Sequence, residues 1–101
     1  MAVTDIPAIR RVLEACKALK IDAKVPYWER DVWTHIGLPN LKVAIFMTTS
    51  LDEDRTEEFR ERWAKYKWRL LGVSTKTVER TPVPDLVQHL KAALKEVGRR
   101  V

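Results

Sequence analysis

The stretch that most restricts this chain is Val43-Ala44-Ile45-Phe46-Met47, the longest uninterrupted apolar run in the sequence. With its flanks it makes a nearly continuous apolar segment from Leu41 to Thr48. The run is strand-sized, well short of the roughly 20 residues a membrane-crossing helix needs. A strand with one wet face alternates apolar and polar residues, whereas a strand without that alternation needs cover on both faces. The chain therefore has to supply a sheet with layers on either side of it.

The flanking sequence offers that cover. Ile6, Ile9, Leu13 and Cys16 recur at helical spacing with Val12 and Leu19 beside them, predicting a helix over about 6–20. Thr4 and Asp5 are its N-cap candidates, and Pro7 suits its first turn. From Lys24 to Leu38 β-branched and aromatic residues predict a hairpin, Lys24–Glu29 with Val32–Leu38, turning at Arg30-Asp31. In its second strand Val32, Thr34, Ile36 and Leu38 share one face, and Trp33, His35 and Gly37 the other. Pro39-Asn40 then turns the chain into the apolar run.

Beyond the run, Ser50 is placed to cap a helix over about 51–67. Asp52, Glu53, Asp54, Glu57 and Glu58 fill its start and Arg60, Arg62, Lys65 and Lys67 its end, both biases complementing the helix dipole. Its apolar stripe of Phe59, Trp63 and Tyr66 is narrow. Trp68–Val73 reads as a strand that Thr75–Val78 extends. Pro82-Val83-Pro84 reads as a stiff connector, and Asp85 as the cap of a last helix that buries Leu86, Leu90, Ala93, Leu94 and Val97 and ends at Gly98.

The expected fold is a single α/β domain over residues 1–101, in the order α-β-β-β-α-β-α, with a four-stranded mixed sheet flanked by helices. The hairpin and the third strand form an antiparallel meander, and the helix after the third strand implies a right-handed parallel crossover. An apolar fraction of 46% with 33% charged residues and three glycines is that of a globular chain. Cys16 has no second cysteine to pair with and sits among apolar helix positions, which reads as a buried, inert thiol. Two histidines and one cysteine make no structural zinc set. Asp5, Pro7, Arg10 and Arg11 do not read as a secretory leader, so the expected location is cytoplasmic, with no membrane partner. A net charge of +5 tilts the expected partners towards acidic ones such as nucleic acid.

This order, together with Trp33-Thr34-His35-Ile36-Gly37-Leu38-Pro39-Asn40-Leu41-Lys42-Val43-Ala44-Ile45-Phe46, resembles the very-short-patch-repair endonuclease-like branch of the PD-(D/E)xK, or restriction-endonuclease-like, superfamily. In that branch a strand carrying an aspartate runs through a proline turn into a lysine-apolar-apolar-isoleucine strand. Lys67-Trp68-Arg69-Leu70-Leu71-Gly72-Val73 resembles the strand after the crossover helix, and the similarity runs from about residue 6 to 95. The resemblance implies metal-dependent phosphodiester hydrolysis, which needs hard oxygen ligands for Mg²⁺. At the implied positions this chain departs from the pattern. His35 stands where the key aspartate falls, and Phe46 where the related group has its second acid, although the repair endonucleases also carry phenylalanine there. Met47, Thr48 and Thr49 stand where those enzymes add a threonine and histidines. Imidazole is a poor Mg²⁺ ligand and phenyl is none. The site is therefore read as degenerate, with no catalytic residue assigned and no cofactor expected, Mg²⁺ entering only if the chain is an endonuclease with a rearranged site. His35 itself reads as a half-buried strand residue hydrogen-bonded to a neighbour. Thr48 is the polar side chain that strand alignment offers it, and Glu29 depends on the hairpin register.

Arg60, Arg62, Lys65, Lys67 and Arg69 form the candidate nucleic-acid-binding set, or else a solvated helix face that complements the dipole. Trp63 and Trp68 belong to the core pattern. Tyr27, Trp28 and Trp33 on the hairpin form a candidate protein-partner or homodimer surface, or else pack beneath the first helix. Three functions follow, in order: a catalytically degenerate nucleic-acid-binding accessory or regulatory factor; an assembly module on the same scaffold; and a divalent-metal-dependent DNA endonuclease.

Overall fold

In the computed structural model, which describes residues 6–48 and 53–98, the apolar run becomes β4 (Val43–Thr48), the middle strand of a three-stranded sheet ordered β3-β4-β5. β3 (Ile36–Leu38) pairs with it antiparallel and sets Ile36 opposite Ile45. β5 (Arg69–Ser74) pairs with it parallel and sets Leu71 opposite Ile45. α2 (Glu53–Ala64) joins the two parallel strands, as a crossover must. The fold is α/β with a mixed sheet.

Side-chain alternation along β4 divides the core in two. Val43, Ile45 and Met47 join Ile36 and Leu38 against α1 (Pro7–Ala18), α3 (Thr75–Arg80) and α4 (Val83–Glu96), meeting Ile9, Val12, Cys16, Val78, Leu86, Leu90 and Leu94. Ala44 and Phe46 face the other way, with Val32, Trp63, Trp68 and Leu70. That second layer is α2 together with a separate two-stranded hairpin of β1 (Tyr27–Glu29) and β2 (Val32–Thr34). Trp63 is wholly buried, and its indole N–H donates to the Trp33 carbonyl at 3.4 Å, fastening the hairpin to the helix.

The sheet therefore differs from the expected four strands: three form the sheet and two stand apart as the hairpin. The strand expected over Val32–Leu38 is broken at His35 into β2 and β3. Val32 packs beside Trp63 while Ile36 and Leu38 pack on the opposite face, so residues expected on one face are divided between two. The cause lies on β4. The narrow stripe of α2 leaves part of the Ala44/Phe46 face uncovered, and the hairpin bends off the sheet to close it. Thr34, fully buried at the bend, donates its hydroxyl to the Ile45 carbonyl at 2.7 Å. The first hairpin strand is also shorter than expected: Lys24 makes an isolated bridge to Gly37, and regular pairing begins at Tyr27. The Tyr27 ring lies on Gly37, where a Cβ would stand 2.3 Å from Tyr27 Cγ.

Two corrections fall in the C-terminal third. Thr75–Val78 does not extend β5 but forms α3. Ser74 Oγ caps it by accepting from the Thr77 N–H at 3.4 Å, and Val78 is fully buried beneath it. Arg11 reaches over from α1 and donates to the Val78 carbonyl at 3.0 Å and to the Thr81 carbonyl. These tertiary ties outweigh the strand preference of β-branched residues. Pro82-Val83-Pro84 is not a connector: Pro82 is the N-cap of α4 and the other two open the helix, where a missing N–H costs nothing. Asp85 lies in the first turn, complementing the dipole rather than capping. At the other helices Pro7 opens α1 as expected, while Thr4, Asp5 and Ser50 lie outside the described residues.

Two predictions follow from this packing. Gly37→Ala forces Tyr27 off the strand and lowers stability by about 1–3 kcal/mol in denaturant titrations, as overpacking does. Burial pushes the Cys16 thiol up to about 11 from 9.0. Its contribution to stability is therefore intact below about pH 9, where the thiol is neutral folded or unfolded, and is lost as pH rises towards about 11. Cys16 reacts with a thiol reagent at neutral pH only once denaturant unfolds the chain, and rapid labelling of the folded protein would contradict its placement.

Candidate nucleic-acid interface

His35 sits half-buried at the bend, and the register that pairs Ile36 with Ile45 brings it opposite Phe46. The two rings meet edge-on with centroids 4.9 Å apart, and Trp33 closes the other side at 4.5 Å. His35 Nδ1 accepts the Met47 backbone N–H at 3.1 Å, so the ring carries its proton on Nε2. The expected polar neighbour was Thr48; the partner is instead the backbone beside it, and the Thr48 hydroxyl donates to the Val73 carbonyl at 3.3 Å. Glu29 lies at the hairpin end opposite Val32 and accepts from the Tyr27 hydroxyl at 3.0 Å. Among the described residues no three His, Cys, Asp or Glu side chains are grouped so as to hold a metal ion.

The opposite end of β4 carries a different chemistry. Parallel strands begin at one edge of a sheet, so the turn entering β4 and the turn entering β5 lie side by side, and Arg69 N–H donates to the Lys42 carbonyl at 3.0 Å. α2 ends at this edge in a Schellman motif: Trp68 N–H donates to the Trp63 carbonyl at 3.1 Å and Lys67 N–H to the Ala64 carbonyl at 3.0 Å. The hairpin tip closes over it. Tyr66 Oη donates to Asp31 at 2.5 Å, and the Arg30 guanidinium lies 5.2 Å from the centre of the Tyr66 ring. The Tyr66 hydroxyl holds the Asp31 carboxyl below the usual range, with help from Arg62 and Lys65, and Asp31 in turn pushes the Tyr66 hydroxyl up.

Between these turns lies a groove of ≈ 360 Å³ lined by Glu29, Arg30, Lys42, Lys65, Tyr66, Lys67 and Trp68. Four cations thus face one carboxylate, each cation on an exposed residue. Arg30, Lys42 and Lys67 all adopt left-handed backbone, with φ of 58°, 54° and 65°. That conformation favours glycine and costs other residues about 1–2 kcal/mol.

The sequence-predicted cations divide. Lys65 and Lys67 line the groove. Arg60 is paired with Glu57, and Arg62 with Glu58 at 2.9 Å, on the exposed face of α2. Arg69 is exposed at the start of β5 beside the groove but not in its wall. Arg30 and Lys42 were missed because each is a solitary cation in a turn; their only sequence signal was turn position. Of the hairpin aromatics, Tyr27 stacks on Trp68 at 5.2 Å and Trp33 packs on Phe46 and His35, so they do not form one outer surface with Trp28. Trp28 is 60% exposed. His89 is exposed, beside an apolar cleft of ≈ 240 Å³ between α4 and β5.

No family model, no curated protein and no solved structure matches this chain.

The adjacency of His35 and Phe46 makes a specific prediction. In His35→Asp/Phe46→Glu two carboxylates face each other across β3 and β4, close enough to share a divalent ion. Titration calorimetry should detect Mn²⁺ uptake beyond that of the parent, and Mn²⁺ should raise the lowered melting temperature of the variant. An unchanged titration would mean that the two side chains do not converge.

Proposed function

We propose that this chain is a nucleic-acid-binding accessory or regulatory factor, built on a restriction-endonuclease-like scaffold whose metal-ligand positions hold His35 and Phe46. The cationic groove carries this reading. Arg30, Lys42, Lys65 and Lys67 come from three separate turns to one concavity, with a single carboxylate among them. A solvated helix face would leave such charges dispersed and paired, as Arg60 and Arg62 are. A nucleic-acid backbone supplies the repeated anionic oxygens that the groove suits.

The scaffold part of the proposal draws support from the order of a helix, antiparallel strands, a crossover helix and a parallel strand. It also draws on the cross-strand contact of the two residues that replace the family's acids. A protein-assembly reading rests on the exposed Trp28 alone, since Tyr27 and Trp33 are engaged in packing.

Glycine at positions 42 and 67 removes charge where the backbone favours glycine, so folding is preserved. Lys42→Gly/Lys67→Gly should melt at or above the parent temperature yet bind oligonucleotides about tenfold or more weakly in fluorescence anisotropy. Parent binding should fall about 20- to 50-fold between about 50 and 200 mM salt, as for three or four neutralised phosphates. Binding indifferent to both the substitutions and the salt would exclude the groove.

A further inference from the structure

We infer that the strand held at this end of the molecule is single-stranded, with Trp28 stacking on a base beside a backbone seated in the groove. The inference rests on reading the groove as a nucleic-acid interface. Two features specify the form of ligand.

The first is the placement of Trp28. Pairing of Trp28 with Trp33 puts the two indoles on one face of the hairpin, while Glu29, which lines the groove, belongs to the other. Groove and exposed indole thus lie on either side of the hairpin tip, with Arg30 between them two residues beyond Trp28. A ligand that uses both must turn sharply round the two-residue hairpin tip of Arg30 and Asp31. Duplex DNA, with a persistence length of about 50 nm, does not bend on that scale, and its base faces are already stacked. A single strand bends freely and offers unstacked bases to an aromatic ring.

The second feature is the charge along α2. Towards the groove the helix leads into Lys65 and Lys67, but Glu57, Glu58 and Glu61 are exposed farther back. A duplex laid along the helix would find Arg60 and Arg62 already held by Glu57 and Glu58, so that stretch offers its phosphates no surplus positive charge. The four groove cations span a single concavity, a footprint suited to a few consecutive phosphates of one strand.

The test is fluorescence anisotropy with labelled oligonucleotides of about a dozen nucleotides. The probes are a DNA strand, an RNA strand of the same sequence and the DNA duplex, against the parent, Trp28→Ala and Lys42→Gly/Lys67→Gly. The expected result is at least one single strand bound about tenfold tighter than the duplex, and that preference removed by Trp28→Ala. The glycine variant should weaken every probe. The DNA and RNA arms identify which sugar the site accepts. Trp28→Ala removes an exposed side chain, so an unchanged thermal melt accompanies the loss. Equal or tighter duplex binding, or single-strand binding indifferent to Trp28→Ala, overturns this inference and leaves the nucleic-acid reading standing. No binding of any probe at about 50 mM salt overturns both.

Discussion

The architecture depends on β4 being buried on both faces. A strand of alternating character would be satisfied by one layer of helices, but Val43, Ala44, Ile45, Phe46 and Met47 demand two. Three helices fill one side readily, since α1 and α4 each carry a broad apolar stripe. The other side has only α2, with Phe59, Trp63 and Tyr66. The shortfall is made up by the hairpin, which leaves the sheet at His35 and lays Tyr27, Val32 and Trp33 over what remains. The divided sheet, the bend and the aromatic cluster around Trp63 share that one cause.

The same topology explains why basic residues distant in sequence become neighbours. A parallel pair joined by a helix returns the chain to the edge where the first strand began, so Lys42 and the Lys65–Lys67 turn must meet. The hairpin tip joins them because Tyr66 grips Asp31 and Arg30. Cations at the end of α2 complement the helix dipole, which accounts for Lys65 and Lys67 in purely local terms. It does not account for Arg30 and Lys42, which the hairpin and the turn into β4 bring to the same groove. All four converge on one groove.

Much of the fold was legible from side-chain periodicity, because β4, α1, α2 and α4 each bury a face that the local pattern writes out. What escaped was set by distant residues. The alternation of Val32, Thr34, Ile36 and Leu38 is unbroken in sequence, and nothing local marks His35 as a bend; the demand comes from the uncovered face of β4. Thr75-Lys76-Thr77-Val78 favours a strand by composition, yet Arg11 and the buried Val78 make it a helix. The candidate site was legible in part. Lys65 and Lys67 were visible within a basic run, but that run also contained Arg60 and Arg62, which glutamates one turn away neutralise. His35 beside Phe46 was legible from strand register, whereas the His35 partner, a backbone N–H, was not.

The hairpin is fastened to α2 and the turn that follows it through the Trp63 indole to the Trp33 carbonyl, through Tyr66 to Asp31, and through Tyr27 stacked on Trp68. It is tied to the sheet as well, by the Tyr27 ring on Gly37, the Thr34 hydroxyl on the Ile45 carbonyl, Trp33 edge-on to Phe46 and the bridge from Lys24 to Gly37. The hairpin thus stitches the end of α2 to the sheet across the face of β4 that carries Ala44 and Phe46. A ligand spanning Arg30 and Lys67 would clasp the hairpin tip to the helix end, and its occupancy would be read in slower exchange of the amides around buried Trp63.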